Sequence, residues 1–150
     1  MNWDEAQEIW STVRNPSLGK PLGNNTRLYP KVEFIFGRGR VVISYEIQLH
    51  GNTIITVFPD DSQVLDSCGW KTVTTKERIN KWGLTETYTI PNTNQKTKRY
   101  YLLQKDYSWY LEEMKLNTIT EFYDGMYIYS DSADNITQTP NTLNFPEGFL

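Results

Sequence analysis

Between Thr26 and Leu65 apolar residues recur at every second position, and this alternation constrains the fold more than any other feature of the chain. A period of two places successive side chains on opposite faces of a strand, which the 3.6-residue period of a helix cannot do. Within Val41–Leu49 the residues Val41, Ile43, Tyr45, Ile47 and Leu49 are predicted to share one face; Arg27–Tyr29, Lys31–Phe36, Thr53–Phe58 and Gln63–Leu65 read as further strands. Turn residues separate them at Gly37-Arg38-Gly39-Arg40, His50-Gly51-Asn52 and Pro59-Asp60-Asp61. Residues 31–65 therefore read as an antiparallel meander.

The flanks extend this reading. Trp3, Ala6, Ile9, Trp10 and Val13 recur at helical spacing behind Asp4 and Glu5, which predicts a helix over 3–14. Asn15 to Asn25 carries Pro16, Gly19, Pro21 and Gly23 and reads as a surface loop. Leu84–Ile90, Arg99–Gln104, Trp109–Glu113, a short piece at Thr118–Phe122 and Met126–Tyr129 read as strands, with Pro91–Lys98 a polar loop. Glu86, on the apolar face of its strand, places that strand's start near the sheet rim. The expected fold class is α+β: a mainly antiparallel twisted sheet or small open β-barrel with an N-terminal helix and a short central helix. The expected organisation is one β-rich domain over 1–130 and an Asn/Thr/Pro-rich tail over 131–150, whose end Phe145, Phe149 and Leu150 would dock.

Composition narrows the chemistry. The chain has 150 residues, with 15 Lys+Arg against 18 Asp+Glu and a net charge of −3, so no global basic field draws it to nucleic acid or an anionic membrane. One cysteine, Cys68, and one histidine, His50, exclude an internal disulfide, a cysteine-based zinc site and a multi-histidine metal site. No metal or cofactor is implied. The acidic start and the lack of a long apolar run lead us to expect a soluble cytosolic protein with no membrane partner.

The densest group of chemically versatile residues is Asp66–Trp82. Thr74-Thr75-Lys76-Glu77 matches a capping box, which predicts a helix from about Thr75 to Trp82 that stops at Gly83. Its first turn would turn Thr74, Thr75, Lys76 and Arg78 toward one region beside the Trp70 indole, an arrangement suited to an anion. Asn24 and Asn25, if their loop lies beside that helix start, would complete a polar pocket. The competing reading is that the threonines only cap the helix and the cations only face water.

Other candidates are weaker. His50 in a turn and an aspartate such as Asp124 are the residues an acid–base mechanism would need, but turn histidines and Asp-Gly pairs are ordinarily structural. Cys68 would act as a nucleophile only with His50 in reach. Asp60, Asp61, Asp66 and Asp124 would need to gather at one rim to bind a cation. Arg38 and Arg40, with Lys96, Lys98, Arg99, Tyr100 and Tyr101, suit phosphate contact and base stacking, although the net charge opposes nucleic-acid binding.

Four blocks, 19–28 (GKPLGNNTRL), 49–54 (LHGNTI), 69–80 (GWKTVTTKERIN) and 122–126 (FYDGM), resemble successive segments of small uncharacterised bacteriophage proteins. Where those proteins usually have Gly-Gly-Trp, this chain has Cys68-Gly69-Trp70, which weakens any essential role for the thiol. The resemblance implies a phage setting and expression inside a bacterial host, and supplies no catalytic residue. The leading expectation is a non-enzymatic binding protein in the host cytoplasm that engages a host protein or a phosphate-bearing ligand, nucleotide or nucleic acid, in host takeover or counter-defence. The alternatives are a virion or assembly component and a phosphodiester- or nucleotide-directed enzyme using His50.

Overall fold

The computed structural model describes residues 1–130; the tail expected over 131–150, with Phe145, Phe149 and Leu150, lies outside the described residues. In chain order the elements are α1 (Trp3–Trp10), β1 (Lys20–Gly23), β2 (Thr26–Ile35), β3 (Gly39–Leu49), β4 (Asn52–Val57), β5 (Gln63–Leu65) and α2 (Val73–Arg78). A π turn (Ile79–Gly83) continues α2, and β6 (Thr87–Thr89), β7 (Lys96–Lys98), β8 (Tyr100–Lys105), β9 (Ser108–Glu113), β10 (Thr118–Glu121) and β11 (Met126–Ile128) follow. The fold is α+β and mainly antiparallel, with an N-terminal and a short central helix.

No barrel closes. The strands form a six-stranded sheet of order β1-β2-β3-β4-β5-β11, a three-stranded sheet β10-β9-β8 and a β6-β7 ribbon. The main sheet turns Leu28, Tyr45, Ile47, Ile55, Val57 and Leu65 into the core, where Ala6 of α1, Ile79 and Leu84 join Tyr100, Leu102, Trp109 and Leu111 of the small sheet. Asn80 fastens the central helical segment to that small sheet. Its side-chain Nδ2 donates to the Leu102 carbonyl and its Oδ1 accepts from the Leu102 N–H, both at 2.8 Å, so one amide imitates a neighbouring strand at the β8 edge.

The meander is present, with two bulges that alternation alone does not reveal. Lys31 faces Ser44 and Val32 faces Val42, which leaves Ile43 as an extra residue on β3. Tyr45, Ile47 and Leu49 keep the predicted face, whereas Val41 sits opposite Glu33, on the other side of the break. Ile47 faces Ile55 and Gln48 faces Thr53, so Ile54 is the extra residue on β4. β2 runs unbroken through Pro30, where two strands were expected; Pro30 lies beyond the short β1, at the sheet margin that tolerates a missing N–H.

Four other expectations are corrected. α1 ends at Trp10, because the Ser11 and Thr12 hydroxyls donate to the Glu8 and Ile9 carbonyls at 2.6 and 2.7 Å. The expected loop over 15–25 contains β1, which pairs with β2 across an Asn24-Asn25 turn in which Asn25 has φ 54°. Only Thr87–Thr89 of the expected strand 84–90 pairs, and its partner β7 lies within the expected 91–98 loop. The start of α2 is capped by Thr72, whose Oγ1 accepts from the Thr75 N–H at 3.2 Å, two residues before the predicted box.

Gly19 illustrates a close approach. It has φ +74°, and a Cβ built there would lie 2.5 Å from the Tyr29 ring, whose hydroxyl donates to the Leu18 carbonyl at 2.9 Å. Gly19→Ala is expected to destabilise the protein by about 2 kcal/mol, through positive-φ strain and displacement of that ring. Urea unfolding measures it, and an unchanged midpoint would show that the ring moves freely.

Candidate functional site

Where β3 turns into β4, Leu49, His50, Asn52 and Ile54 face the loop that leads into α2, which brings Ser67, Trp70, Thr72, Thr74 and Thr75. Together they line an open hollow of about 530 Å³. Its apolar floor follows from the fold: Leu49 ends the core face of β3, and the bulge aims Ile54 inward. The opposite wall depends on Cys68 and Gly69, consecutive residues with φ 53° and 81°, which turn the chain so that Trp70 projects, 64% exposed. Trp70 is fixed through its backbone, its N–H donating to the Ser67 carbonyl at 2.9 Å and its carbonyl accepting from the Thr72 N–H at 2.8 Å. Val73 stands exposed beside it at 71%.

The structure brings together only some of the residues expected to hold an anion. Trp70, Thr74 and Thr75 line the hollow; Lys76, Arg78, Asn24 and Asn25 do not. Thr75 is buried, and its hydroxyl lies 3.1 Å from that of Thr72. Arg78 turns away: its Nε donates to Thr26 Oγ1 at 3.1 Å and its Nη1 pairs with Glu77 at 2.9 Å. The Asn24–Thr26 turn thus meets α2 at Arg78, and Thr26 also donates to the Asn24 carbonyl at 3.0 Å. Asn25 contributes its carbonyl to the His50 N–H at 2.8 Å, so the turn serves the scaffold. No lysine or arginine lines the hollow, and α2 spans six residues, too few for a strong dipole field.

The catalytic candidates occupy separate structural posts. His50 is an exposed left-handed turn residue with φ 51°, and no hydrogen bond joins its ring to Asp124 among the described residues. Asp124 Oδ1 accepts from the Ser67 N–H at 2.8 Å, Asp66 Oδ1 from the Cys68 N–H at 2.6 Å and Asp61 Oδ1 from the Trp3 N–H at 2.8 Å. Asp60 accepts from the Ser62 N–H at 3.0 Å. Cys68 donates its thiol to the Thr53 carbonyl at 3.0 Å; burial, then Asp66, pushes its pKa up to about 11, opposite to what a nucleophile needs. Among the described residues no group of three or more His, Cys, Asp or Glu is placed to hold a metal ion.

The second basic patch is also largely internal. Lys98 donates to the Asn80 carbonyl at 2.8 Å, and Arg99, 5% exposed, lies between Glu86 and Glu113. Arg38 in the β2–β3 turn and Arg40 at the start of β3 remain as exposed cations. Leu49, Asn52, Ile54, Ser67 and Thr72 were not singled out from the sequence. A period-two count assigns Leu49 to the core and does not reveal the bulge that places Ile54 in the floor of the hollow.

No helix among the described residues is long and apolar enough to cross a membrane. No curated protein and no solved structure matches the chain. A family model described as Kyanoviridae Gp96 protein matches residues 31–129, which include the second half of β2, all of β3 through β11 and the whole of the hollow. With two thirds of its length inside that match, the chain belongs to the Kyanoviridae Gp96 family of bacteriophage proteins.

Proposed function

We propose that this is a non-enzymatic, phage-encoded binding protein acting in the host cytoplasm, which engages a host protein through the hollow beside Trp70 in host takeover or counter-defence. The observation that carries this reading is the exposed Trp70 indole over a floor of Leu49 and Ile54 with no cation directed into the space. A projecting indole beside an apolar recess is the anchor geometry of a protein interface, where tryptophan contributes large contact area at little entropic cost. A phosphate-bearing ligand would require the positive charge that Arg78 instead supplies to Thr26 and Glu77. A nucleotide-directed enzyme would require a partner for His50.

Trp70→Ala is expected to change folding stability by no more than about 0.5 kcal/mol, as exposed positions do. It should lower affinity for the captured host protein by a factor of at least about 30, a loss of 2 kcal/mol or more. Tagged wild-type and Trp70→Ala chains recovered from infected cells, followed by titration of the recovered partner, measure both. Equal affinity for the two chains removes the hollow from consideration. A thermal shift with nucleotides that disappears in Lys76→Ala would instead favour the phosphate reading, and turnover of a phosphodiester that His50→Ala abolishes would favour an enzyme.

A further inference from the structure

β1 pairs with β2 only as far as Leu28, and β4 pairs with β3 only from Tyr45 onward, so residues 31–43 extend past the main sheet as a two-stranded arm. One face of this arm is apolar and open. Val32 is 45% exposed, Phe34 76% and Phe36, in the turn, 96%; Val42 lies across from Val32 and the exposed Arg40 across from Phe34. Arg38 stands at the tip. Two phenylalanines in water on a marginal two-stranded ribbon are costly unless something covers them.

A complementary surface lies elsewhere on the same chain. Register aligns Tyr101 with Glu112 and Ile119, and Leu103 with Tyr110 and Glu121, so these six residues form the face of the β8–β9–β10 sheet opposite its buried Leu102 and Leu111. Tyr101 and Ile119 are exposed on it, Ile119 at 65%, and among the described residues no other element covers β10. Lys105 is the cation at its far end, beside the β8–β9 turn, and Lys98 sits over Tyr101 at 5.0 Å while donating to Asn80. Glu112 lies between Tyr101 and Ile119 on the central strand and Glu121 two residues beyond Ile119 on β10, where the arm's arginines would meet them.

We propose that the arm of one molecule docks on the β8–β9–β10 face of a second copy, with Phe34 and Phe36 over Tyr101 and Ile119 and with Arg38 and Arg40 beside Glu112 and Glu121. The two patches are different, so the contact is heterologous: each bound copy leaves one arm and one face open, and assembly proceeds to a ring or filament. Two arginines are too few to hold the arm on nucleic acid at physiological salt, where the lost counterions of many phosphates supply the affinity. Apolar contact with two charge pairs is sufficient for a protein surface. This assembly does not involve Trp70 and stands or falls separately from host-protein binding.

Sedimentation and light scattering across the micromolar range test it. The wild-type chain should exceed dimer mass at high concentration, and its assemblies should shrink in high salt as the charge pairs are screened. Phe34→Ser with Phe36→Ser, and Ile119→Lys with Glu121→Lys, should each be monomeric with unchanged circular dichroism. Mixed, they should form a one-to-one dimer and nothing larger, because each retains the surface the other has lost. A second pair guards against misfolding: Arg38→Glu with Arg40→Glu, and Glu112→Lys with Glu121→Lys, each monomeric alone and associating when combined. A wild-type chain that stays monomeric overturns the proposal, as does either mixture remaining monomeric, and so does a face variant that dimerises on its own, the outcome expected for a two-fold arm-to-arm contact.

Discussion

Arg99→Ala is expected to destabilise the protein by about 3–5 kcal/mol, because it leaves two carboxylates facing a site from which their cation has been removed. Arg99 Nε and Nη2 reach Glu113 Oε1 at 2.8 and 2.7 Å, Nη1 reaches Glu86 Oε2 at 3.3 Å, and the guanidinium lies 5.0 Å from the Tyr100 ring centroid. The side chain of Arg99 is 6% exposed, that of Glu113 14% and that of Glu86 27%, so water replaces little of what is lost. Arg99→Met combined with Glu86→Leu and Glu113→Leu should recover most of the loss, since an apolar triad of similar volume avoids the desolvation cost. Urea unfolding of the three chains decides it. A single variant within 1 kcal/mol of wild type would show that the triad is solvated and contributes little.

This triad also shows what the sequence made legible and what it did not. Glu86 interrupts an apolar strand face and suggested a position at the sheet rim, while Arg99 beside Lys98 and two tyrosines suggested a surface patch; each side chain was read against its immediate neighbours. What pairs them is the Arg99 N–H donating to the Glu86 carbonyl at 2.8 Å, a contact thirteen residues apart that only register produces. The meander was legible because period two and turn residues are local signals. The bulges at Ile43 and Ile54 were not: an inserted residue leaves composition and alternation almost unchanged and is specified by the partner strand.

The site shows the same division. Trp70, Thr74 and Thr75 stood out by type, and all three do line the hollow. The anion reading rested on the direction in which Arg78 points, and a helix position gives an angle only after the helix start is known. Capping at Thr72 begins α2 two residues before the predicted box, which places every later side chain roughly 200° further round the axis from the capping residue than the predicted start implies. In the observed helix Arg78 reaches Thr26 and Lys76 lies outside the hollow. Thr72 and Thr74 are equivalent as capping residues, and the preference between them is set by packing: the later turn of the helix must deliver Ile79 to the core and Asn80 to Leu102.

Lowering the pH from 8 to below 6 is expected to cost about 2–3 kcal/mol of stability through one group, the Met1 amine, in a chain that begins at Met1 with that amine free. Met1 is 2% exposed, and its amine donates to the Trp82 carbonyl at 2.7 Å, the Gly83 carbonyl at 3.2 Å and the Thr85 hydroxyl. Burial draws its pKa from 8.0 down to about 6; Lys98 acts in the same direction, while Glu5 and Asp61 oppose it. Between those two values the unfolded chain holds a proton that the folded chain has released, so stability rises with pH across that interval and is level on either side. The thermal midpoint should rise by roughly 5–10 °C over the same range, given about 2–4 °C per kcal/mol for a chain of this size. Measuring the slope in a His50→Gln background removes imidazole titration from the comparison. Glu5→Gln provides the second check: loss of a carboxylate that favours the charged amine should extend the pH-sensitive interval to more acidic values. A flat profile between pH 6 and 8 in the His50→Gln chain would mean that the carbonyls of Trp82 and Gly83, with Thr85, solvate the ammonium as well as water does.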